Sequence, residues 1–359
     1  MSGTPLVSVM LVNHNGERDL EGCIHSLLEE VRDVGEVEII LVDNASTDRS
    51  LQLVPSDPRI TVLPQRTNLG FAEGNNAAAR AARGEWLVGV NLDTRGRPGW
   101  LSQLLSASAR HPHAGAYSCR LLSAQTGQDD FVSGFINFEG YGFESREPLS
   151  DGAEILFPTG AGFMLRRSLW EEVGGMDAGF FLFFEDIDLG WRLNLLGRPV
   201  VHVKDAVLSH RKHGAVDALG KARRMRYYRR NALMMILKNY AEEKLAPLLS
   251  ASLLLLAARR AILDPSQPPL FRGELDRIDP LRELGGRMRE VLAAREWVQS
   301  RRVIGDQDIF RRFFPNPLRT WAFDDEDYAR LDAAGYPDQK AAVLRALGVE
   351  AIFPQPWVA

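Results

Sequence analysis

Residues 6–12, LVSVMLV, form an apolar run of strand length, and Leu20, Cys23, Ile24, Leu27, Leu28 and Val31 then recur at the spacing of one helix face. VEIILV (37–42) reads as a second buried strand with Asp43 at its C-terminal end, and ITVL (60–63) as a third. FAEGNNAAARAARG (71–84) is alanine-rich and stopped by Gly84, which predicts a helix. EWLVGV (85–90) is a fourth strand that delivers Asn91, Leu92 and Asp93, and Pro98 opens another helix. Strands that are apolar throughout, separated by helices, predict a mostly parallel sheet covered on both faces. Ligands of such sheets sit beyond the C-terminal strand ends, where Asn13, Asp43 and Asp93 fall.

The pattern then changes. Residues 115–157 read as short strands and loops, and TGAGFMLRRSLWEEVGG (159–175) as a glycine-rich turn, a strand and a short helix. Ser168 and Glu171 fit a capping box, and Gly174–Gly175 a helix stop. In EDIDLGWRLNLLG (185–197), Ile187, Trp191 and Leu195 have helical spacing, with Gly197 as the stop. RPVVHV (198–203) is a strand and LSHRKHG (208–214) a loop. From about residue 220 the pattern is helical, interrupted by a proline-rich linker or surface loop at 264–273.

Composition narrows the class. The 359 residues are 45% hydrophobic and 25% charged, a globular mixture, and the formal net charge of −4 offers no basic field for nucleic acid. Two widely separated cysteines, Cys23 and Cys119, lack metal-type spacing and fit a reducing, cytoplasmic compartment. The most apolar stretch, residues 245–263, contains Pro247 and is cut by Arg259 and Arg260, short of the ~20 apolar residues of a span, which favours a buried or interfacial helix.

Several residues have two readings each. Asp93, two after Asn91 at a strand end, suits a hard cation that takes one or two carboxylates, or a turn. Asp43 can accept from a base or ribose hydroxyl, or close an Asx-turn. NLGFAEGNN (68–76) could bring backbone and a helix N-terminus to a phosphate, although it is neither a P-loop nor a dinucleotide fingerprint. His210 is a metal ligand or a surface histidine, with His213 the weaker alternative. Glu185 and Asp186 follow four phenylalanines at a helix N-terminus, where the dipole favours their charge and the aromatic surface opposes it. They read as N-cap residues or as a poorly solvated base. Asp188 and Arg192, at i and i+4, read as a surface ion pair.

In this order and spacing VNHN, VDNASTD, NLGFAEGNN, VNLDT, TGAGFMLRR, FFEDIDLGWR and a strand ending in SH resemble the family-2 glycosyltransferases of the GT-A fold, in particular a rhamnosyltransferase-like bacterial group. The resemblance covers roughly residues 6–240. It implies a GT-A α/β catalytic domain over 1–220 and a mainly helical region over 221–359. It further implies inverting, metal-assisted transfer from a dTDP-, UDP- or GDP-linked sugar to a glycan or lipid-linked acceptor. Asn13, Asp43 and Asn91 match nucleotide-side positions, and Gly70, Gly74 and Asn75 the donor-side loop. Asp93 matches the last carboxylate of the family's Asp–x–Asp motif, with Asn91 in the first place. His210 matches a histidine that completes the metal site, for Mg²⁺ or Mn²⁺. Asp186 matches the catalytic base, with Glu185 beside it. Gly160 and Gly162 would let the backbone approach the acceptor, and Trp191 would offer a stacking face.

Arg223, Arg224, Arg226, Arg229 and Arg230 precede an apolar helical stretch, so residues 221–260 are expected to form a solvated face, to pack on the catalytic domain, to meet an anionic membrane surface, or to join copies of the chain. A sugar nucleotidyltransferase would need a glycine-rich N-terminal loop with Arg and Lys, which VNHNGERDL does not supply. A non-catalytic carbohydrate- or membrane-binding relative would not be expected to keep both Asp93 and Asp186.

Overall fold

The structure, a computed structural model, describes residues 6–32, 34–212, 219–263 and 279–353. Strand β1 (Val7–Asn13), helix α1 (Leu20–Glu30) and strand β2 (Val37–Asp43) open the fold, and the two strands pair in parallel with Asn13 opposite Asp43. Both are buried along nearly their whole length, as their largely apolar runs predict, and the two polar residues within them, Ser8 and Glu38, hydrogen-bond to each other. Strand β3 (Ile60–Pro64) joins β2 in parallel but is largely open to solvent, because it is the edge strand; an edge also tolerates Pro64. Helix α2 (Gly70–Ala81) ends at Ala81 rather than at Gly84. Beyond it the Arg83 and Gly84 N–H groups donate to Glu38 Oε1 and Ser8 Oγ, so side chains under the sheet capture the backbone before another turn forms.

Next come β4 (Trp86–Val90), β5 (Thr94–Gly96), α3 (Trp100–Arg110), β6 (Ala116–Ser123), β7 (Asp129–Phe131), β8 (Ser133–Ile136), β9 (Gly142–Ser145) and β10 (Glu154–Ile155). Strand β11 (Gly162–Arg166), α4 (Arg167–Glu172), α5 (Glu185–Leu195) and β12 (Val200–His210) follow. The main sheet has the order β10-β12-β6-β11-β4-β1-β2-β3, with β5 added to β12 and β7 to β6. Strand β11 is antiparallel to β4 and β6, while β12 is parallel to β6. The result is the GT-A arrangement, a mostly parallel α/β sheet flanked by helices.

Three local expectations are corrected. The expected short strands and loops of 115–157 include β6, which has eight residues and lies within the main sheet. The Ser168–Glu171 capping box does not form; Arg166 is the N-cap residue, no side chain caps it, and Glu171 pairs with Arg167 instead. The expected loop at 208–214 is still strand as far as His210, because β12 continues past a register irregularity between Val203 and Val207 that leaves Lys204 and Asp205 exposed.

The chain divides into two units, residues 1–134 with 144–220 and residues 135–143 with 221–359. The second is helical: α6 (Gly220–Asn239), α7 (Glu242–Leu263), α8 (Asp279–Gly286), α9 (Met288–Arg301), α10 (Asp306–Phe313), α11 (Asp325–Ala333) and α12 (Tyr336–Ala346). Its core holds Phe138, Tyr240, Phe310, Phe314 and Phe353 in ring contact, and a buried Arg259–Glu139 ion pair at 2.7 Å. Among the described residues α7 alone is long and apolar enough to cross a membrane by length and composition; it packs on α11 and α12. Within the arginine cluster, Arg230 is buried, and Arg226 and Arg230 both pair with Glu283. The proline-rich stretch at 264–273 lies outside the described residues, as does His213.

Candidate active site

The register of the sheet joins two residues more than a hundred positions apart. Strand β12 pairs antiparallel with β5, His210 opposite Thr94, and the Arg211 N–H donates to the Asp93 carbonyl at 2.9 Å. His210 Nε2 thereby faces Asp93 Oδ1 at 3.5 Å, while its Nδ1 lies 3.0 Å from Asp130 Oδ2. Burial acts to lower the imidazole, but the two carboxylates outweigh it and raise it to about 9. Burial acts to raise Asp93, but His210 and then Arg211 hold it below the usual carboxylate range. Among the described residues no group of three or more His, Cys, Asp and Glu side chains could hold a metal. The pair nevertheless fits a hard cation that completes its shell with substrate oxygens: one carboxylate, and one imidazole whose Nε2 proton must leave for ligation.

The second cluster is tied to the first through backbone. The Asn91 N–H donates to the Ala161 carbonyl at 3.3 Å, and the neighbouring Gly160 N–H donates to Asp186 Oδ2 at 3.1 Å. Asp186 Oδ1 accepts from the Ile187 N–H at 2.8 Å. Its carboxylate is therefore held at the N-terminus of α5, and Asp186 is the one residue of that helix that is not fully buried. Burial pushes it up, the two backbone bonds pull it down, and the balance is a rise to about 6. Glu185 is 5% exposed and its Oε2 has no hydrogen-bond partner among the described residues. Burial first, and then the charge of Asp186, push Glu185 well above the usual range. The two acids thus separate into a buried one raised well above the usual range and a half-buried one raised to about 6.

The preceding phenylalanines form a strained loop. Phe181, Phe183 and Phe184 have φ of +64°, +67° and +75°, a region that costs a bulky residue about 1–3 kcal/mol. The Phe181 carbonyl accepts from Phe71 and Ala72 at the start of α2, at 2.7 and 3.4 Å. The α2 N-terminus that was expected to face a phosphate therefore spends its leading donors on this loop. A Cβ on Gly70 (φ +81°) would lie 2.4 Å from the Phe181 oxygen, so only glycine allows the approach. Asn76 adds a second tie, exchanging two hydrogen bonds with the Met176 backbone at 2.7 and 3.0 Å.

The other expected residues sort by access. Asp43 and Asn13 are buried together, Asn13 Nδ2 donating to Asp43 Oδ1 at 2.8 Å, and Asp43 Oδ2 accepts from Ser46 N in the Asx-turn reading. Gly74 and Asn75 are packing residues: a Cβ on Gly74 would meet Val12 at 2.7 Å, and Asn75 bonds back to the Phe71 carbonyl. Gly162 is closed off by Leu208 and Cys119, whereas Gly160 touches the Asp186 carboxylate. Trp191 is fully buried, so it has no face for a sugar. Asp188 and Arg192 are a buried pair at 2.8 Å, not a surface one, because α5 is enclosed on all sides. Sequence reasoning missed Asp130, Lys212 and Glu144: Lys212 Nζ bridges Asp130 and Glu144 at 2.9 and 2.7 Å, and the Glu144 charge bears on Asp186. The only local signal was an acidic doublet, Asp129–Asp130, in a short strand.

The family model Glycosyl transferase family 2 matches residues 8–174. The N-acetylglucosaminyl-diphospho-decaprenol L-rhamnosyltransferase of Mycobacterium tuberculosis is 30% identical over 242 residues, which is 58% of this chain and 78% of that protein. The O-antigen biosynthesis protein RfbC of Myxococcus xanthus is 32% identical over 237 residues, 61% of this chain, but the match spans only 18% of its length. In fold the chain is similar to GalNAc-T7 crystallised with UDP, GalNAc and Mn²⁺ (TM-score 0.57, 14% identity, 81% of this chain and 58% of that one). It is also similar to S. aureus TarS 1-349 in complex with UDP-GlcNAc (TM-score 0.51, 18% identity, 82% and 83%). The chain belongs to glycosyltransferase family 2 and is of its rhamnosyltransferase-like type.

Proposed function

We propose that the chain moves a sugar, with inversion, from a nucleoside-diphosphate donor to a hydroxyl of a glycan or lipid-linked glycan during cell-surface polysaccharide synthesis. The observation that carries this reading is the pairing of one half-buried, raised carboxylate, Asp186, with the Asp93–His210 pair across the paired ends of β4 and β11. Asp186 takes the acceptor hydroxyl proton as the new oxygen–carbon bond forms and the bond from the anomeric carbon to the diphosphate oxygen breaks. A single displacement inverts the anomeric centre. Gly160 keeps the Asp186 carboxylate aimed. Asp93 and His210 would hold Mg²⁺ or Mn²⁺, which when bound supplies positive charge for the departing diphosphate. Asp43, held by Asn13, suits the nucleoside end. The name of the mycobacterial relative supports rhamnose as the sugar class and a polyprenyl-diphosphate glycan as the acceptor class, and that of the Myxococcus relative supports cell-surface polysaccharide synthesis.

A donor panel of dTDP-, UDP- and GDP-sugars, followed by hydrolysis and transfer, tests the activity. With the donor identified, Asp93→Ala is expected to weaken Mn²⁺-dependent nucleotide binding by tenfold or more, about 1.4 kcal/mol. Calorimetry that returns the wild-type affinity would remove Asp93 from the cation site.

A lipid-linked acceptor also calls for a membrane surface. The exposed Arg223 on α6 and Leu254 (45% exposed) on α7 support peripheral contact with an anionic leaflet on its cytoplasmic side through residues 221–260. The chain is expected to float with vesicles containing anionic lipid and not with neutral ones; equal partition into both would sink this reading.

A further inference from the structure

We propose that Asp130 is the positioning residue of His210, fixing which ring nitrogen the imidazole offers to a cation beside Asp93. This rests on the reading that Asp93 and His210 hold a divalent cation. Strand β7 sets the direction of Asp130. Its pairing with β6 slips by one residue, Phe131 lying opposite Leu121 and Asp129 opposite Leu122, so Asp130 is the extra residue of a β-bulge. A bulge re-aims the side chain of its extra residue. Here Asp130 is turned inward, 4% exposed, with Oδ2 3.0 Å from His210 Nδ1.

The neighbours restrict what that contact can be. An ionised carboxylate only accepts, so Nδ1 must donate, and the neutral ring then carries its lone pair on Nε2, the atom that faces Asp93 at 3.5 Å. The other Asp130 oxygen is held by Lys212 Nζ at 2.9 Å, with Arg146 at 3.8 Å. Each oxygen thus has its own partner, and the carboxylate cannot rotate without losing one. Parallel pairing of β12 with β6, His210 opposite Ser123, sets the ring at the same end of the sheet as the bulge. A carboxylate behind a ligating imidazole fixes its tautomer and orientation, and losing such a partner commonly lowers metal affinity 10–100-fold.

The test uses the full chain and Mn²⁺, titrated by electron paramagnetic resonance with dTDP, UDP or GDP present. Asp130→Asn keeps the shape and is expected to bind Mn²⁺ 10–100-fold more weakly than wild type, approaching His210→Ala. Wild-type binding with Asp130→Asn unchanged overturns the proposal and leaves the cation reading standing. No Mn²⁺ binding by wild type in any mixture sinks both. Should the variant fail to fold, ¹⁵N-histidine NMR of the wild type at alkaline pH still decides. The neutral His210 ring must be the Nδ1–H tautomer; the Nε2–H tautomer overturns the proposal, and a role confined to neutralising Lys212 would not select between them.

Discussion

Asp186→Asn is expected to lower kcat by about 10²–10⁴, the range that general acid–base catalysis supplies, with donor affinity close to wild type. The substitution is nearly isosteric, and the new amide oxygen can still accept from one of the two backbone donors, Gly160 N–H or Ile187 N–H, that hold the carboxylate. What disappears is the ability to take a proton. Glu185 does not replace it, because it is buried, and burial, the main cause of its raised proton affinity, remains in the variant. The pH profile carries the same information. A base must be unprotonated, so wild-type kcat/KM should climb with pH through about 6, where burial has raised Asp186, and then level off. Glu185 and Asp186 are close enough to titrate together, so the acidic limb belongs to the pair. In Asp186→Asn the residual rate should lose that limb. Turnover within threefold of wild type would take the base role away from Asp186.

Arg192→Met is expected to cost about 3–5 kcal/mol of stability, the usual loss when one partner of a buried ion pair is removed. Arg192 is 3% exposed and Asp188 0%, and the guanidinium also donates to the Val173 and Gly175 carbonyls, both at 2.7 Å. Methionine fills the volume but leaves a fully buried carboxylate without that guanidinium, and two carbonyls without those donors. The double variant Asp188→Leu, Arg192→Met should recover part of the loss, because no lone charge is then buried. Urea denaturation of the three proteins measures this; a single-variant loss below 1 kcal/mol would show the pair to be solvated in practice. The consequence reaches the candidate site, since this arginine ties the chain at 173–175 to the helix whose first turn carries Asp186.

Much of the fold was legible because the pattern that encodes it is local. Short, largely apolar runs in β1, β2 and β4, bounded by turn residues, read as strands covered on both faces, and the three-and-four spacing of α1 and α5 reads as buried helix faces. Strand-end residues such as Asp43 and Asp93 follow from those runs by position alone. Where an element ended was less legible: α2 stops at Ala81 because Glu38 and Ser8, far away in sequence, take the next N–H groups.

By itself, then, the sequence determined the α/β class, the strands at whose ends Asn13, Asp43 and Asp93 fall, and the order of motifs that marks the family. The tertiary structure alone decided which of those residues are accessible. Asp186 is open while Glu185, Asp188 and Trp191 are enclosed, although all four lie on one short helix with the same local composition. It also decided that His210 meets Asp93, and that Asp130 stands behind it, through the registers of β12 with β5 and of β7 with β6. The physical reason is that periodicity records which face of an element is apolar. Register, burial depth and the resulting shifts in proton affinity depend on what other elements bring to that face.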